Sequence, residues 1–446
     1  MSEELLTAIN DTFDPWRPLP AGDPLYVDCK SVRGDADIIR SLGNSITRST
    51  RDKCHLYAGH RGNGKSTELL RLKQHLENNG CFVVYFDAEE ADIDTIDTQY
   101  TDILLSCTKH LTLAIKDAYS QPILDWLKAR WASIKNFLDT EVELESLKIE
   151  QQIEQIGKVT SSLKFNPSYR AQIREKIEPH TISLRDALNE FIRDAKKKLP
   201  DGKQKLVVIV DNLDRIVPVQ KGDDGKTNHD EIFIDRADQL RSLECNIIYT
   251  VPISLVHSSR INNLSNVYDP GSTQILPMIS VRKRDGNINP DGLERMCTIL
   301  YERMKKCAPD LQLVPDIFET QELVDNLCVM TGGYVRSLMI LMQYLSTEID
   351  DLPINERTLL RCFSRLRNDL RIAVEDRWDI LALTAATKQI KNDDAYRQLL
   401  FNRCILQYSY IDDENQVQDW YDIVPLLRGI SQFQEAMRKL SSQSQG

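Results

Sequence analysis

The chain has 446 residues, 41% of them hydrophobic and 28% charged, and a formal net charge of −11. That length exceeds one small core and fits two or three domains, while the acidic balance makes it a poor nonspecific coat for DNA. No stretch approaches the roughly 20 apolar residues that span a bilayer, and the N-terminus MSEELLTAIN lacks a cationic segment leading into an apolar one.

Cys54–Ala58 (CHLYA) reads as a short buried strand. It is followed by Gly59-His60-Arg61-Gly62-Asn63-Gly64-Lys65-Ser66-Thr67 and the helical pattern ELLRLKQHLENNG. This is G-x-x-x-x-G-K-[ST] between a strand and a helix, the context a phosphate loop requires. The glycines let successive backbone N–H groups turn toward phosphate oxygens, and the helix from Ser66 adds its positive end. Lys65 is placed to reach the β- and γ-phosphates of ATP, and the Ser66 hydroxyl to ligate Mg²⁺. After Gly80, Cys81–Asp87 (CFVVYFD) reads as a second strand. Strand, loop, helix and strand in that order imply an α/β fold with a parallel sheet and nucleotide at its carboxyl edge.

A long helical region comes next. Leu124, Leu127, Trp131, Ile134 and Leu138 step by three and four, the spacing of a coiled-coil seam. Val142, Ile149, Ile156 and Leu163 then repeat every seventh residue. Gln121–Ser162 is therefore expected as helices projecting from the core, a hairpin or docking arm, with stripes packed back on the core as the alternative. Lys196, Lys197, Lys198, Lys203 and Lys205 form a basic run, and Gln220–Glu231 an acidic-polar loop; both read as solvated surface, with nucleic-acid contact by the lysines the other reading.

Lys205–Arg215 (KLVVIVDNLDR) holds five consecutive aliphatics, a strand buried on both faces. Asp211 at its carboxyl end is the candidate to hold Mg²⁺ through water, and Asp214 to orient or deprotonate the attacking water. With the phosphate loop, this segment resembles the AAA+ and STAND superfamily of P-loop ATPases. AAA+ proteins usually carry glutamate after the metal aspartate, where this chain has Asn212; the DNLDR string resembles the D-x-x-D-R variant of STAND and KAP-type NTPases. That departure leaves a slow timer or a nucleotide-locked scaffold as alternatives to fast hydrolysis.

The resemblance extends along the chain. Ala237–Leu243 reads as a helix and Cys245–Val251 as a buried strand, in which Thr250 occupies the place of the sensor-1 polar residue; β-propensity alone also explains a threonine there. Arg260, with Arg241 behind it, is the candidate trans-acting arginine finger of an oligomeric ring. Met330-Thr331-Gly332-Gly333-Tyr334-Val335-Arg336 before SLMILMQYL resembles the GG-x-x-R sensor-2 turn of origin-recognition-like and STAND ATPases, which puts Arg336 at the γ-phosphate.

Past the lid, Asn355–Val374 reads as a helix with Arg357, Arg361 and Arg365 recurring every fourth residue, joined by Arg367 and Arg371. The segment LLFNRCILQYSYIDDENQVQDWYDIVPLLRGI orders helix, strand, turn at Asp412–Asn415, strand and helix, resembling a winged helix. The arginines suit DNA phosphates, yet the same stretch carries carboxylates in comparable number, so intramolecular pairing explains them equally. Expected domains are thus 1–290 (an AAA+-like P-loop core with a helical insertion at about 121–180), 291–350 (a helical lid) and 351–446 (winged-helix-like).

The seven histidines are scattered, and no two of the ten cysteines lie closer than Cys297 and Cys307. CxxC zinc or redox spacing is therefore excluded, and buried thiols in a reducing cytoplasm are expected. The chemistry belongs to ATP and Mg²⁺. The resemblance implies a cytoplasmic regulatory switch controlling a partner effector, as in bacterial defence or stress modules. A DNA-remodelling ATPase and a non-hydrolysing scaffold are the alternatives.

Overall fold

The computed structural model describes residues 3–138, 142–221, 226–269, 271–349 and 351–443; positions 139–141 of the helical region and 222–225 of the acidic-polar loop lie outside them. In chain order its main elements begin with α1 (Glu3–Thr12), β1 (Cys54–Gly59), α2 (Lys65–Asn78), β2 (Cys81–Asp87) and α3 (Tyr100–Ala114). Next come α4 (Gln121–Ile134), α5 (Ile149–Phe165), α6 (Pro167–Ile177), α7 (Thr181–Lys197), β3 (Lys205–Asp211), β4 (Asn246–Pro252) and β5 (Thr273–Leu276). The remainder is α8 (Pro290–Cys307), α9 (Gln321–Met330), α10 (Val335–Glu348), α11 (Glu356–Val374), α12 (Trp378–Thr387), α13 (Asp394–Phe401), β6 (Ile405–Ile411), β7 (Val417–Ile423) and α14 (Ser431–Gln443).

The chain divides into two units. One comprises Ile38–Ala58 and Leu69–Gln274, the other Met1–Asp37, Gly59–Glu68 and Ile275–Gly446. The sheet runs in the order β2-β3-β4-β1-β5 and is parallel. Crossovers between non-adjacent strands place helices on both faces, so the central strands are apolar throughout. Leu206, Val207, Val208, Ile209 and Val210 of β3 are all fully buried. β2 and β3 pair from Cys81↔Lys205 to Asp87↔Asp211, so both strands end on an aspartate at the same level.

The helical region does not project as a free arm. Within its unit α4 packs on α7, and α5 on α3 and α6. Leu124, Leu127, Trp131, Ile134, Ile156 and Leu163 are buried, while Ile149 is exposed. The stripes found in the sequence are closed by neighbouring helices. Ion pairs fasten α6 as well: Arg174 reaches Asp102 at 2.5 Å and Asp97 at 2.7 Å, and Arg170 reaches Asp94 at 2.7 Å.

Most of the lysine run is also committed locally. Lys205 donates to the carbonyls of Ile46, Thr47 and Ser49 at 2.7 Å each, ending the short helix Asn44–Arg48. Lys203 donates to Glu77 O, Lys198 to Asp117 O, and Lys196 pairs with Asp52.

In the other unit α1 packs on α8 and α10, and α10 on α11. The β6–β7 hairpin is antiparallel, from Ile405↔Ile423 to Ile411↔Val417. It follows three helices and precedes α14, which packs on α12.

Candidate functional site

The phosphate loop leaves β1 at Gly59 and enters α2 at Lys65. Gly62 sits at φ 85°, where an L side chain is strained, and a Cβ there would fall 2.5 Å from Arg336 Nε and 2.6 Å from the Tyr334 hydroxyl. Glycine is therefore demanded twice, by conformation and by space. Lys65 is buried, and its Nζ donates to the carbonyls of Gly59 and His60 at 2.9 Å each. Asn63 staples the loop to the end of β5, donating to Leu276 O at 2.9 Å and Pro277 O at 2.8 Å. Arg33 Nη2 donates to Asn63 O at 3.1 Å, and Leu19 N–H to the Thr67 hydroxyl at 3.1 Å. Ser66 lies half-buried in the first turn of α2.

The same unit brings Arg336 to this loop. Gly333 stands so close to the Ile279 carbonyl that any Cβ would collide with it, and at φ 76° it turns the chain into α10. Tyr334 OH donates to Arg61 O at 2.6 Å, and Arg403 Nη1 to Tyr334 OH at 3.3 Å. Arg336 Nε donates to Pro15 O at 3.0 Å, and its guanidinium stands 4.5 Å over the Trp16 ring, which Arg61 approaches at 5.8 Å. Burial pulls His60 out of solvent completely. Its Nε2 accepts the N–H of Gln407 in β6 at 3.0 Å, which places the ring proton on Nδ1.

In the other unit Asp211 is fully buried at the end of β3. Oδ2 accepts the Tyr85 hydroxyl at 2.6 Å and Oδ1 the N–H of Asn212 at 2.7 Å. Burial first, and then the Asp211 charge, push the Tyr85 phenol far above its usual range, so it remains a donor. Asn212 adopts the left-handed region (φ 64°) and its Nδ2 donates to Asp87 Oδ2. Asp214 is buried in the turn Leu213–Arg215. The Thr250 hydroxyl accepts from Leu213 N–H at 2.9 Å and donates to Val210 O at 3.3 Å, so it clamps that turn to β3. Arg260 pairs with Asp235 at 2.6 Å, and Arg241 donates to Val267 O.

Sequence reasoning did not find Arg33, Trp16, Tyr334 or Gln407 as neighbours of the loop, nor Tyr85 and Asp87 as neighbours of Asp211 and Asn212. Only Tyr334 carried a local signal, by standing inside the glycine turn. Ser66 and Asp211 each carry an oxygen of the hard kind that Mg²⁺ takes, and the loop offers a lysine at the N-terminal end of the 14-residue helix α2.

Residues 44–220 match the model of the KAP family P-loop domain, a stretch that contains the phosphate loop, Asp211 and Asp214. The chain has an α/β P-loop NTPase fold. Three solved structures resemble it at 10% identity. Orc1 of Aeropyrum pernix in complex with DNA has a TM-score of 0.41 and covers 97% of this chain and 98% of its own. Cdc6p of Pyrobaculum aerophilum has a TM-score of 0.40 over 97% and 98%. Orc2 of Aeropyrum pernix, in ADPNP–ADP complexes, has 0.40 over 98% and 98%. No curated protein matches. Among the described residues no helix is long and apolar enough to cross a membrane.

Proposed function

We propose that the chain is a cytoplasmic, Mg²⁺-dependent ATPase switch that passes its nucleotide state to a partner protein. One observation carries this reading. Within a single unit the phosphate loop is bonded both to the turn bearing Arg336, through Tyr334 and Arg61, and to strand β6, through Gln407 and His60. A loop joined to two other elements suits a switch, because a change at the phosphates is felt by both.

In this reading the backbone of Gly59–Thr67 binds the phosphates of ATP, Lys65 neutralises the β- and γ-oxygens, and Arg336 binds the γ-phosphate. Magnesium, when bound, stabilises the charge that builds on those oxygens; Ser66 and Asp211 are the residues proposed to hold it. A carboxylate at the sheet edge orients the attacking water, the role the sequence suggests for Asp214. Thr250 serves the turn that carries these acids, and Arg260 is the arginine offered to a neighbouring copy. The partner would be an effector, in the defence setting that the STAND resemblance suggests.

Phosphate release and capture of the adjacent gene's product test the proposal. Lys65→Ala should lose both ATP binding and release, and the partner should copurify with one nucleotide state only. Unchanged ATP affinity in Lys65→Ala, or partner capture indifferent to nucleotide, would sink the reading.

A second reading, DNA engagement, is favoured by the exposed face of α11, where Arg357, Arg361 and Arg371 stand in solvent. The hairpin tip opposes it with Asp412, Asp413 and Glu414. DNA retention that weakens steeply with salt supports this second reading; no retention at low salt rejects it.

A further inference from the structure

Two thiols far apart in the sequence meet between α8 and α9. Cys297 and Cys328 are 31 positions apart, yet their sulfurs stand 3.7 Å from each other. Both helices belong to one unit and pack together. Cys328 is fully buried and Cys297 part-exposed, so solutes reach the pair from one side. The Cys297 thiol also lies 3.7 Å from Asp325 Oδ1, a second acceptor for its hydrogen. Hydrogen bonding with Cys297, and then burial, push the Cys328 thiol far above its usual range. Cys328 therefore stays protonated and out of solvent, and Cys297 is the sulfur an oxidant meets first. A disulfide holds its sulfurs about 2.05 Å apart. The gap left to close is roughly 1.6 Å, within reach of side-chain rotation and a small approach of packed helices.

We propose that Cys297 and Cys328 are a redox modification site, in which a peroxide oxidises Cys297 and Cys328 closes a reversible disulfide. The Cys297 sulfur attacks one oxygen of hydrogen peroxide. The S–O bond forms, the O–O bond breaks, and the thiol proton leaves with the departing oxygen as water. Cys297 is now a sulfenic acid, oxidised by two electrons, and the peroxide is reduced. The Cys328 sulfur then attacks that of Cys297. The S–S bond forms, the S–O bond breaks, and hydroxide takes the Cys328 proton and departs as a second water. Two thiols and one peroxide thus become one disulfide and two waters. In a reducing compartment such a bridge is transient, which suits a sensor rather than a permanent staple. The bridge acts on the glycine turn. The Cys328 carbonyl accepts the Thr331 hydroxyl at 2.6 Å, and that oxygen accepts the Gly333 N–H at 3.0 Å. Fixing Cys328 to α8 therefore restrains the end of α9 from which Tyr334 and Arg336 are presented.

The full chain, reduced and then exposed to a small excess of hydrogen peroxide, is alkylated and mapped by mass spectrometry. The expected product is lighter by the two thiol hydrogens, yields a peptide joining Cys297 to Cys328, and reverts with dithiothreitol. Cys328→Ala should stop at the sulfenic acid, which dimedone traps at Cys297, and Cys297→Ser should leave Cys328 unmodified. Hydrogen exchange at the Gly332 and Gly333 amides should slow at least about threefold in the bridged chain, because the cross-link restricts opening of the turn. The native arm needs no substitution, so a variant that fails to fold does not decide the result. A Cys297 that still alkylates fully after peroxide overturns the proposal. So does oxidation of Cys297 without a bridge, or a bridge made through other cysteines or between two copies. A Cys297–Cys328 bridge that leaves exchange at Gly332 and Gly333 unchanged overturns the action on the turn. None of these readouts involves ATP hydrolysis, so their failure and that of the ATPase reading are separate results.

Discussion

His55 makes the strand that feeds the phosphate loop sensitive to acid. The ring lies in β1 at 2% exposure. Burial is the main cause that lowers its pKa to about 4; the polar backbone of Ser272 nearby opposes the shift, and the Lys53 charge adds to it. An unfolded histidine titrates near 6.5. Between these values the unfolded chain binds a proton that the folded chain refuses, so stability is full above about pH 6.5 and falls as the pH drops toward 4. From pH 7.5 to 5 the loss attributable to this ring is about 2 kcal/mol, approaching ~3 kcal/mol at the lower end of the window. His55→Leu removes the titrating group and keeps the site apolar. Urea unfolding at pH 7.5 and pH 5, followed by circular dichroism, gives the two differences. The native chain should lose about 2 kcal/mol more than the variant over that interval. Equal losses in the two proteins would refute the reasoning, because the pH response would then belong to other groups.

Other expectations concern the contacts around the site. Arg336→Ala should lower kcat for phosphate release by about 100-fold, as loss of one preorganised charge at a transferring phosphate does; stability should fall by about 1–3 kcal/mol, since the buried guanidinium also gives up its bond to Pro15 O. Stopped-flow phosphate detection and thermal melts check both halves. His60→Ala strips the Gln407 N–H of its acceptor, leaving a buried donor unmade at a cost of about 1–3 kcal/mol. Hydrogen exchange should show the amides of β6 opening faster than those of α12, and His60→Gln, which can still accept, should restore part of the protection. Arg174→Met leaves the buried Asp102 without its cation. Burial already pushes that carboxyl up against the pull of Arg174, and about 3–5 kcal/mol of destabilisation should appear in urea unfolding.

What could be read from the sequence was local. The loop was legible because glycine, lysine and serine spacing is a short-range code, and Cys81–Asp87 was legible because a run of β-formers ended by an acid admits few other readings. The glycine turn before Arg336 was legible for the same reason. The long-range partners were not. Gln407 and His60 are separated by 347 positions, and nothing in an alternating strand says which of its N–H groups meets a histidine. Periodicity told which sides of α4 and α5 are apolar without saying what covers them, so a projecting arm and stripes packed back on the core were equally open; α3, α6 and α7 close the stripes. The lysine run looked like a surface because a helix of up to five residues that needs its last carbonyls bonded, as Asn44–Arg48 does through Lys205, leaves no pattern near residue 205. Asn212 read as a defect in the metal motif. Register with β2 turns it into a link between two acids.

The proposed switch has a short physical route in the unit that holds the loop. Lys65 donates to the carbonyl of His60, and the ring of the same His60 accepts from Gln407. Phosphate oxygens compete for the lysine ammonium, and a charged acceptor wins that contest over a neutral carbonyl. Once Lys65 turns to phosphate, the His60 carbonyl loses its charged donor and keeps the N–H of Asn63 at 3.1 Å, so the residue is held less firmly and can shift with the loop. Gln407 is held at its other side as well, its carbonyl accepting from Met278 at 2.9 Å, so a shift of His60 strains a strand that cannot simply follow. The hairpin must then either keep the His60 bond and oppose phosphate binding, or release it. Such opposition is reciprocal. Severing the link with His60→Ala should therefore tighten ATP binding, by as much as the hairpin contact had weakened it. Titration calorimetry with a non-hydrolysable analogue reads this directly, and an affinity that stays the same or weakens would place the nucleotide signal on the Tyr334–Arg336 turn instead.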